Sequence, residues 1–273
     1  MDTPYQTFNT TDDCQITYSL RGAAKAMRPR LVLIHSLGLD ASIWDNVIEN
    51  LGDYSQILTY DCRGHGRSGK PHMPFSVELF ARDLAELLDH VDWRTAVVSG
   101  CSMGGCVAQA FGGLYASRAS GIALIDTTSW YGEDAPRTWR KRATNARSNG
   151  LGSMIDFQMT RWFGDRFRSS HTELLKKVTE VFLGNDLDCY VASCEMLGDA
   201  DLRPYLQSLR NPVAIVVGEE DYATPVAASL QLHHAIPQST LTIIPGGRHL
   251  TPLEYPEQIA SELRGLFERI WPQ

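Results

Sequence analysis

No run of apolar residues in this chain approaches the roughly 18 that suggest a membrane-spanning helix. A basic excess is missing as well. Twenty-five Lys and Arg stand against 32 Asp and Glu, a formal net charge of −7. That balance argues against nucleic acid as a partner, which normally calls for a basic face. The opening residues, MDTPYQTFNTTDD, lack the basic-then-apolar pattern of a secretory signal. Cysteine is sparse and scattered: Cys14, Cys62, Cys101, Cys106, Cys189 and Cys194 form no C-x-x-C pair. Reduced thiols in a cytoplasmic protein are therefore expected. There is no H-E-x-x-H, no paired Cys/His cluster and no G-x-x-x-x-G-K-[ST] phosphate loop, so neither metal nor cofactor is expected. Gly64-His65-Gly66 is only a fragment of a dinucleotide fingerprint, because no G-x-G-x-x-G follows. Internal repeats and low-complexity tracts are also absent.

What remains is an ordinary globular composition, 43% hydrophobic and 21% charged over 273 residues. A chain of this size buries about three quarters of its unfolded surface. Gln15–Leu20 alternates polar and apolar residues and predicts a strand. A turn-rich stretch, 21–30, leads to Leu31–His35, apolar on both faces like a strand inside a parallel sheet. A helix over Ser42–Leu51 and a strand over Gln56–Tyr60 follow, then the glycine-rich turn 61–69. Val77–Val91 carries Leu79, Phe80, Leu84, Leu87 and Leu88 at helical spacing. Thr95–Val98 and Gly121–Ile125 read as strands around a small-residue helix, Met103–Tyr115. After residue 206 the rhythm resumes with strands Val213–Val217 and Leu241–Ile244 and helices Pro225–His234 and Pro256–Ile270. Such alternation implies a mostly parallel sheet flanked by helices. Between these halves the strand signal vanishes. Helices are expected near Arg137–Arg147, Ser153–Phe163, Glu173–Phe182 and Leu187–Leu197, in a stretch rich in aromatics. The expected organisation is a core of 1–128 and 207–273, with a helical lid, 129–206, inserted after the sixth strand.

The sharpest local signal is Gly100-Cys101-Ser102-Met103-Gly104-Gly105. Alone, G-x-S-x-G is weak; between a buried strand and a helix it predicts a nucleophile elbow. Serine needs a base, and the base needs an orienting group. Two downstream loops supply them. His249, in Pro245-Gly246-Gly247-Arg248-His249-Leu250, is the expected base. Asp221, in Gly218-Glu219-Glu220-Asp221, is the expected acid that holds its tautomer. Glu219, Glu220 and Asp126 remain alternative acids. An oxyanion site would use the Met103 N–H and an N–H after the Leu31–Ile34 strand, where Leu37 of His35-Ser36-Leu37-Gly38 is favoured. His35 is expected to prop that loop. Arg63 and Arg67 are expected to pin their turn with salt bridges; steering an anionic substrate is the weaker alternative.

These motifs resemble the α/β-hydrolase superfamily and, within it, the β-ketoadipate enol-lactone hydrolases. The likeness runs through HSLGLDASIWD from His35, YDCRGHGRSG from Tyr60, GCSMGG from Gly100, RWFGDRFR from Arg161, DADLRPYLQSLRNPV from Asp199, GEEDYATP from Gly218 and GGRHLTPLEYPEQ from Gly246. It implies the α/β-hydrolase fold and places Ser102, Asp221 and His249 at the family's triad positions. The expected activity is hydrolysis of a small carboxylic ester or lactone through an acyl-enzyme on Ser102, an enol-lactone of aromatic catabolism being the best single substrate. Trp162 and Trp130 would shape the acyl pocket, Ser36 would line it, and Arg161 would meet a substrate carboxylate. The same triad would also serve a C–C bond hydrolase of ring-cleavage diketones, a perhydrolase or, more remotely, a non-catalytic ligand sensor. Expected partners are a small-molecule substrate and, as one option, a second copy in a homodimer, with neither nucleic acid nor membrane.

Overall fold

A computed structural model describes residues 5–22 and 29–272. The strands are β1 (Gln6–Asn9), β2 (Gln15–Arg21), β3 (Arg30–Ile34), β4 (Gln56–Tyr60), β5 (Ala96–Cys101), β6 (Ala119–Ile125), β7 (Val213–Gly218) and β8 (Ser239–Ile244). They form one sheet in the order β1-β2-β4-β3-β5-β6-β7-β8. β1 and β2 pair antiparallel with their neighbours, and all the other pairings are parallel. The helices are α1 (Asp45–Leu51), α2 (Val77–His90), α3 (Met103–Leu114), α4 (Ala135–Asn149), α5 (Ile155–Trp162), α6 (Asp165–Ser170), α7 (Thr172–Leu183), α8 (Leu187–Asp199), α9 (Arg203–Leu206), α10 (Val226–Ala235), α11 (Thr251–Glu254) and α12 (Pro256–Ile270). Among the described residues no helix is long and apolar enough to cross a membrane.

Apolar residues on both faces put β5 and β7 in the middle of the fold, where every residue of each is buried. α2 is set by its ends and its stripe. The Leu79 N–H donates to the Ser76 hydroxyl at 3.1 Å, capping the first turn, and Phe80, Leu84, Leu87 and Leu88 are buried. Each such side chain contributes about 1.5–3 kcal/mol of burial free energy. Leu79, placed on the same stripe by spacing, is only half-buried.

The sequence pattern and the structure differ in a few places. β1 carries no usable alternation, because only Phe8 of its four residues is buried. The helix expected from Ser42 opens as a tight 3₁₀ turn, Ala41–Trp44, because the Asp40 carboxylate accepts the Ser42 N–H at 3.0 Å and winds the start of the segment. The strand expected over Thr95–Val98 continues to Cys101, delivering the chain directly to Ser102. α6 is polar with no buried residue and α9 is only four residues long, so neither shows a helical stripe in the sequence. Part of the turn expected over 21–30, residues 23–28, lies outside the described residues. Six helices, α4–α9, stand between β6 and β7. The two ends of that segment are drawn together where the Leu202 N–H donates to the Ser129 carbonyl at 2.8 Å and Trp130 bridges to Asp201.

Successive parallel connections run from β3 outward to β4, then return to place β5 on the other side of β3. This reversal opens a crevice beyond the carboxyl ends of β3 and β5, the usual place for ligands in open α/β sheets. The turn after β4 lies against the loop after β3, its Cys62 N–H donating to His35 Nε2 at 2.9 Å. There the buried Arg63 donates to both Asp83 oxygens, at 2.6 and 2.5 Å, and to Asp12 at 3.0 Å. Arg67 lies 3.8 Å from Asp40 and Asp61. Both arginines thus pin the turn, as expected. Removing Arg63 leaves the Asp83 carboxylate buried without its partner. Arg63→Ala is therefore expected to cost about 3–5 kcal/mol in urea denaturation; a loss below about 1 kcal/mol would show that the ion pair is not holding the turn.

Candidate active site

Ser102 lies between the last residue of β5 and the first of α3, at φ 55° and ψ −113°. A non-glycine residue at positive φ is strained and needs its surroundings to hold it. The Ser102 N–H donates to the Ile125 carbonyl at 2.9 Å, and the Ser102 carbonyl accepts the Gly105 and Cys106 N–H groups and the Thr127 hydroxyl. The flanking glycines follow from contact distances. A Cβ on Gly100 would lie 2.0 Å from the Gly104 carbonyl oxygen, and one on Gly104 would lie 2.3 Å from that of Ile34. A side chain at either position would push strand and helix apart.

The three expected triad residues come together. The Ser102 hydroxyl lies 2.9 Å from His249 Nε2. His249 Nδ1 lies 2.8 Å from Asp221 Oδ2. Asp221 also accepts the Ala223 and Thr224 N–H groups, at 2.7 and 2.9 Å, and the Thr224 hydroxyl at 2.8 Å. All three side chains are buried, with Ser102 6% exposed. Burial pushes the Asp221 carboxyl up, but the adjacent imidazole and the hydrogen bonds from it and from Thr224 outweigh burial and hold the group below the usual carboxylate range. An ionised Asp221 fixes the proton on His249 Nδ1 and leaves Nε2 free to accept from serine.

The alternative acids are accounted for elsewhere. Glu219 accepts the Gly246 N–H at 2.9 Å and so shapes the loop before His249. Glu220 is exposed and lies 3.4 Å from Arg248. Asp126 is buried at φ 47° and accepts the Gly218 N–H at 3.1 Å, the Thr251 N–H at 2.9 Å and the Thr251 hydroxyl at 2.7 Å. It therefore ties the strand end before Asp221 to the helix start after His249. Burial, and then the nearby Asp221 charge, push its carboxyl well above the usual range.

The loop after β3 is built around His35. Its Nδ1 donates to the Ser36 carbonyl at 2.8 Å, and its Nε2 accepts the Cys62 N–H at 2.9 Å. Burial lowers its pKa and keeps the ring neutral, as that hydrogen-bond pattern requires. His35 thus props the loop against the turn after β4. Among the described residues neither the Leu37 nor the Met103 N–H has a protein acceptor. Cys101 and Cys106 are buried, and burial pushes the Cys106 thiol up to about 11. That disfavours the thiolate that a cysteine nucleophile needs.

Ser102 and His249 open onto a cavity of about 630 Å³. Ser36, Leu37, Arg161 and Trp162 line it. Trp130 is not among the lining residues. Its ring instead lies under the Arg203 guanidinium at 3.9 Å, where the Trp130–Asp201 bridge draws it. Arg142, not singled out by sequence reasoning, does line the cavity. Its Nε donates to the Tyr190 hydroxyl at 2.9 Å, and among the described residues no carboxylate pairs with it. No local motif marks Arg142; it is one of several basic residues on α4, and only the packing of α4 and α8 aims it inward. Arg161 donates to the Tyr222 carbonyl. Burial, and then the Arg142 charge, lower its pKa. Among the described residues no three His, Cys, Asp or Glu side chains gather as a metal site.

A strained serine between strand and helix, a buried His–Asp pair reaching it from two later loops, and a cavity above them define a hydrolase of the α/β class. The chain belongs to the alpha/beta hydrolase fold family, whose model matches residues 29–256. It is 30% identical over 260 residues to 3-oxoadipate enol-lactonase 2 of Acinetobacter baylyi, covering 95% of this chain and 96% of that protein. The enol-lactonase from Burkholderia xenovorans LB400 superposes with a TM-score of 0.91 at 28% identity, over 97% of this chain and 99% of the other. A thermophilic esterase from Thermogutta terrifontis gives 0.88 at 26% identity, over 99% of each chain.

Replacing Asp221 by Asn keeps the shape but removes the charge that fixes the imidazole. Asp221→Asn is expected to lower kcat on an activated ester by about 10³–10⁴-fold, whereas Glu219→Gln and Glu220→Gln stay within about 3-fold of wild type. Equal losses in all three would remove Asp221 from its assigned place.

Proposed function

We propose that the chain is a serine hydrolase of small carboxylic esters or lactones, with an enol-lactone of aromatic catabolism as the favoured substrate. The observation that carries this reading is the unbroken hydrogen-bond chain from the Ser102 hydroxyl through His249 to Asp221. Ser102 Oγ attacks the acyl carbonyl while its proton passes to His249 Nε2. The Leu37 and Met103 N–H groups receive the oxyanion; one such donor is worth about 2.7–4 kcal/mol in other hydrolases. The tetrahedral intermediate collapses, the C–O bond of the ester or lactone breaks, and His249 returns the proton to the departing alcohol or enol oxygen. For a lactone that oxygen stays tethered to the acyl group. Water, deprotonated by His249, then attacks the acyl carbon; the bond to Ser102 Oγ breaks, His249 returns the proton to that oxygen, and the carboxylic acid leaves.

Residues 129–206 act in this reading as a lid over the core formed by 1–128 and 207–273. Its support is the placement of Arg142, Arg161 and Trp162 on the wall of the cavity that opens at Ser102. Buried unpaired thiols at all six cysteines suit a reducing cytoplasm.

The relatives' enol-lactonase names and the cavity's charge point to a substrate that carries a carboxylate. Arg142 and Arg161 line one cavity, whose acid Asp134 pairs with Arg137 at 2.9 Å, and each arginine gains from an anion placed there. A carboxylate on the ring substituent would lie against Arg142, with the lactone carbonyl over Ser102.

Two outcomes are expected. A fluorophosphonate will label Ser102, and Ser102→Ala will abolish both labelling and hydrolysis; hydrolysis intact in Ser102→Ala rejects the mechanism. Arg142→Met will lower kcat/KM about 10–100-fold on a carboxylate-bearing lactone and no more than about 3-fold on a neutral aryl acetate. An equal loss on both substrates contradicts the assignment of Arg142 to the anion.

A further inference from the structure

We infer that Arg248 is a positioning residue that makes the end of α5 and the loop carrying His249 one unit, so that a wall of the substrate cavity sets the place of the imidazole. The inference rests on the reading of His249 as the base. Hydrogen bonds on both sides of that histidine carry it. Before it, Arg248 Nη1 donates to the carbonyls of Thr160 and Phe163, at 2.6 and 3.1 Å. After it, the Leu250 N–H donates to the Trp162 carbonyl at 3.2 Å. Glu254 closes the join, accepting the Arg248 N–H on one carboxylate oxygen at 2.9 Å and the Gly164 N–H on the other at 2.8 Å.

The chemistry suits the place. The last carbonyls of a helix have no partner within it and carry partial negative charge. A planar guanidinium can serve two of them at once. Arg248 is buried enough to be held there, its side chain 12% exposed, with Asp165 3.4 Å from Nη2 and Glu220 3.4 Å from Nε. Gly164 permits the close approach, since a Cβ there would lie 2.9 Å from a Glu254 oxygen.

This matters for catalysis because of what α5 carries. Arg161 and Trp162, in its last turn, line the cavity. Arg161 also reaches the Tyr222 carbonyl, beside Asp221. The helix end is thus fastened to both loops that bring the acid and the base to Ser102. Misplacement of a reacting group by about 1 Å can cost about 100-fold in rate. Loosening the Arg248 contacts is therefore expected to act on kcat, the imidazole being displaced while the cavity still binds substrate.

The test compares wild type, Arg248→Ala, Arg248→Lys and Glu254→Gln as full chains, measuring kcat and KM on p-nitrophenyl butyrate and the unfolding midpoint. In Arg248→Ala kcat should fall about 30-fold with KM within about 2-fold. Arg248→Lys should return to within about 5-fold of wild type, because an ammonium can still donate to both carbonyls. Glu254→Gln should lower kcat about 10-fold with the same split, and it decides the matter if Arg248→Ala does not fold. Equal losses in the Lys and Ala variants overturn the inference. So does a kcat within about 2-fold of wild type in Arg248→Ala, or in Glu254→Gln where the former is unfolded. Such a result alongside inactive Ser102→Ala removes this inference alone; hydrolysis that survives Ser102→Ala removes the reading of the site beneath it.

Discussion

A 2.9 Å hydrogen bond between Ser102 and His249 joins residues 147 positions apart, and much of the fold can be understood as what holds its two ends still. At the serine end, two glycines let β5 and α3 meet closely enough for a strained turn to present the hydroxyl. At the histidine end, the Glu219 contact to Gly246, the Glu254 contact to Arg248 and the Asp126 contact to Thr251 fix the loop residue by residue. The strain at Ser102 is sustained because the sheet around it is buried and hydrogen-bonded on both sides of β5.

Asp126 links these parts. Its carboxylate reaches the end of β7, which leads into Asp221, and the start of α11, which follows His249. A buried acid this close to a second acid is costly, and it is held by three hydrogen bonds. In exchange the two loops that complete the triad share one anchor in the core. The residue thus has a structural reason to be an acid without being the acid that meets His249.

The parallel core was legible because its strands are apolar on both faces and its helices keep a strict stripe; the pattern of Leu31–Ile34, Val213–Val217 and α2 leaves little else for those segments to be. The meeting of Ser102, Asp221 and His249 beside the loop after β3 was legible because their motifs sit at strand ends. What escaped were contacts that depend on packing. β1 is too short to alternate, and the aromatic character of Trp130 does not reveal that its backbone bridges to Asp201 and its ring lies under Arg203. Arg142 is hidden among surface-like arginines of α4, and the joint around Arg248 exists only because α5 ends beside the His249 loop. Short-range pattern finds elements and strand-end motifs; it does not find which helix end meets which loop.

In the proposed reaction the Ser102 hydroxyl, activated by the His249 imidazole, attacks one acyl carbon while the amides of Leu37 and Met103 receive its oxygen. A crystal structure of the phosphonylated protein checks this arrangement. Phosphorus is expected to be bonded to Ser102 Oγ, with one phosphonyl oxygen about 2.7–3.1 Å from both amide nitrogens. An adduct on another side chain, or an oxygen turned away from those two amides, would contradict it.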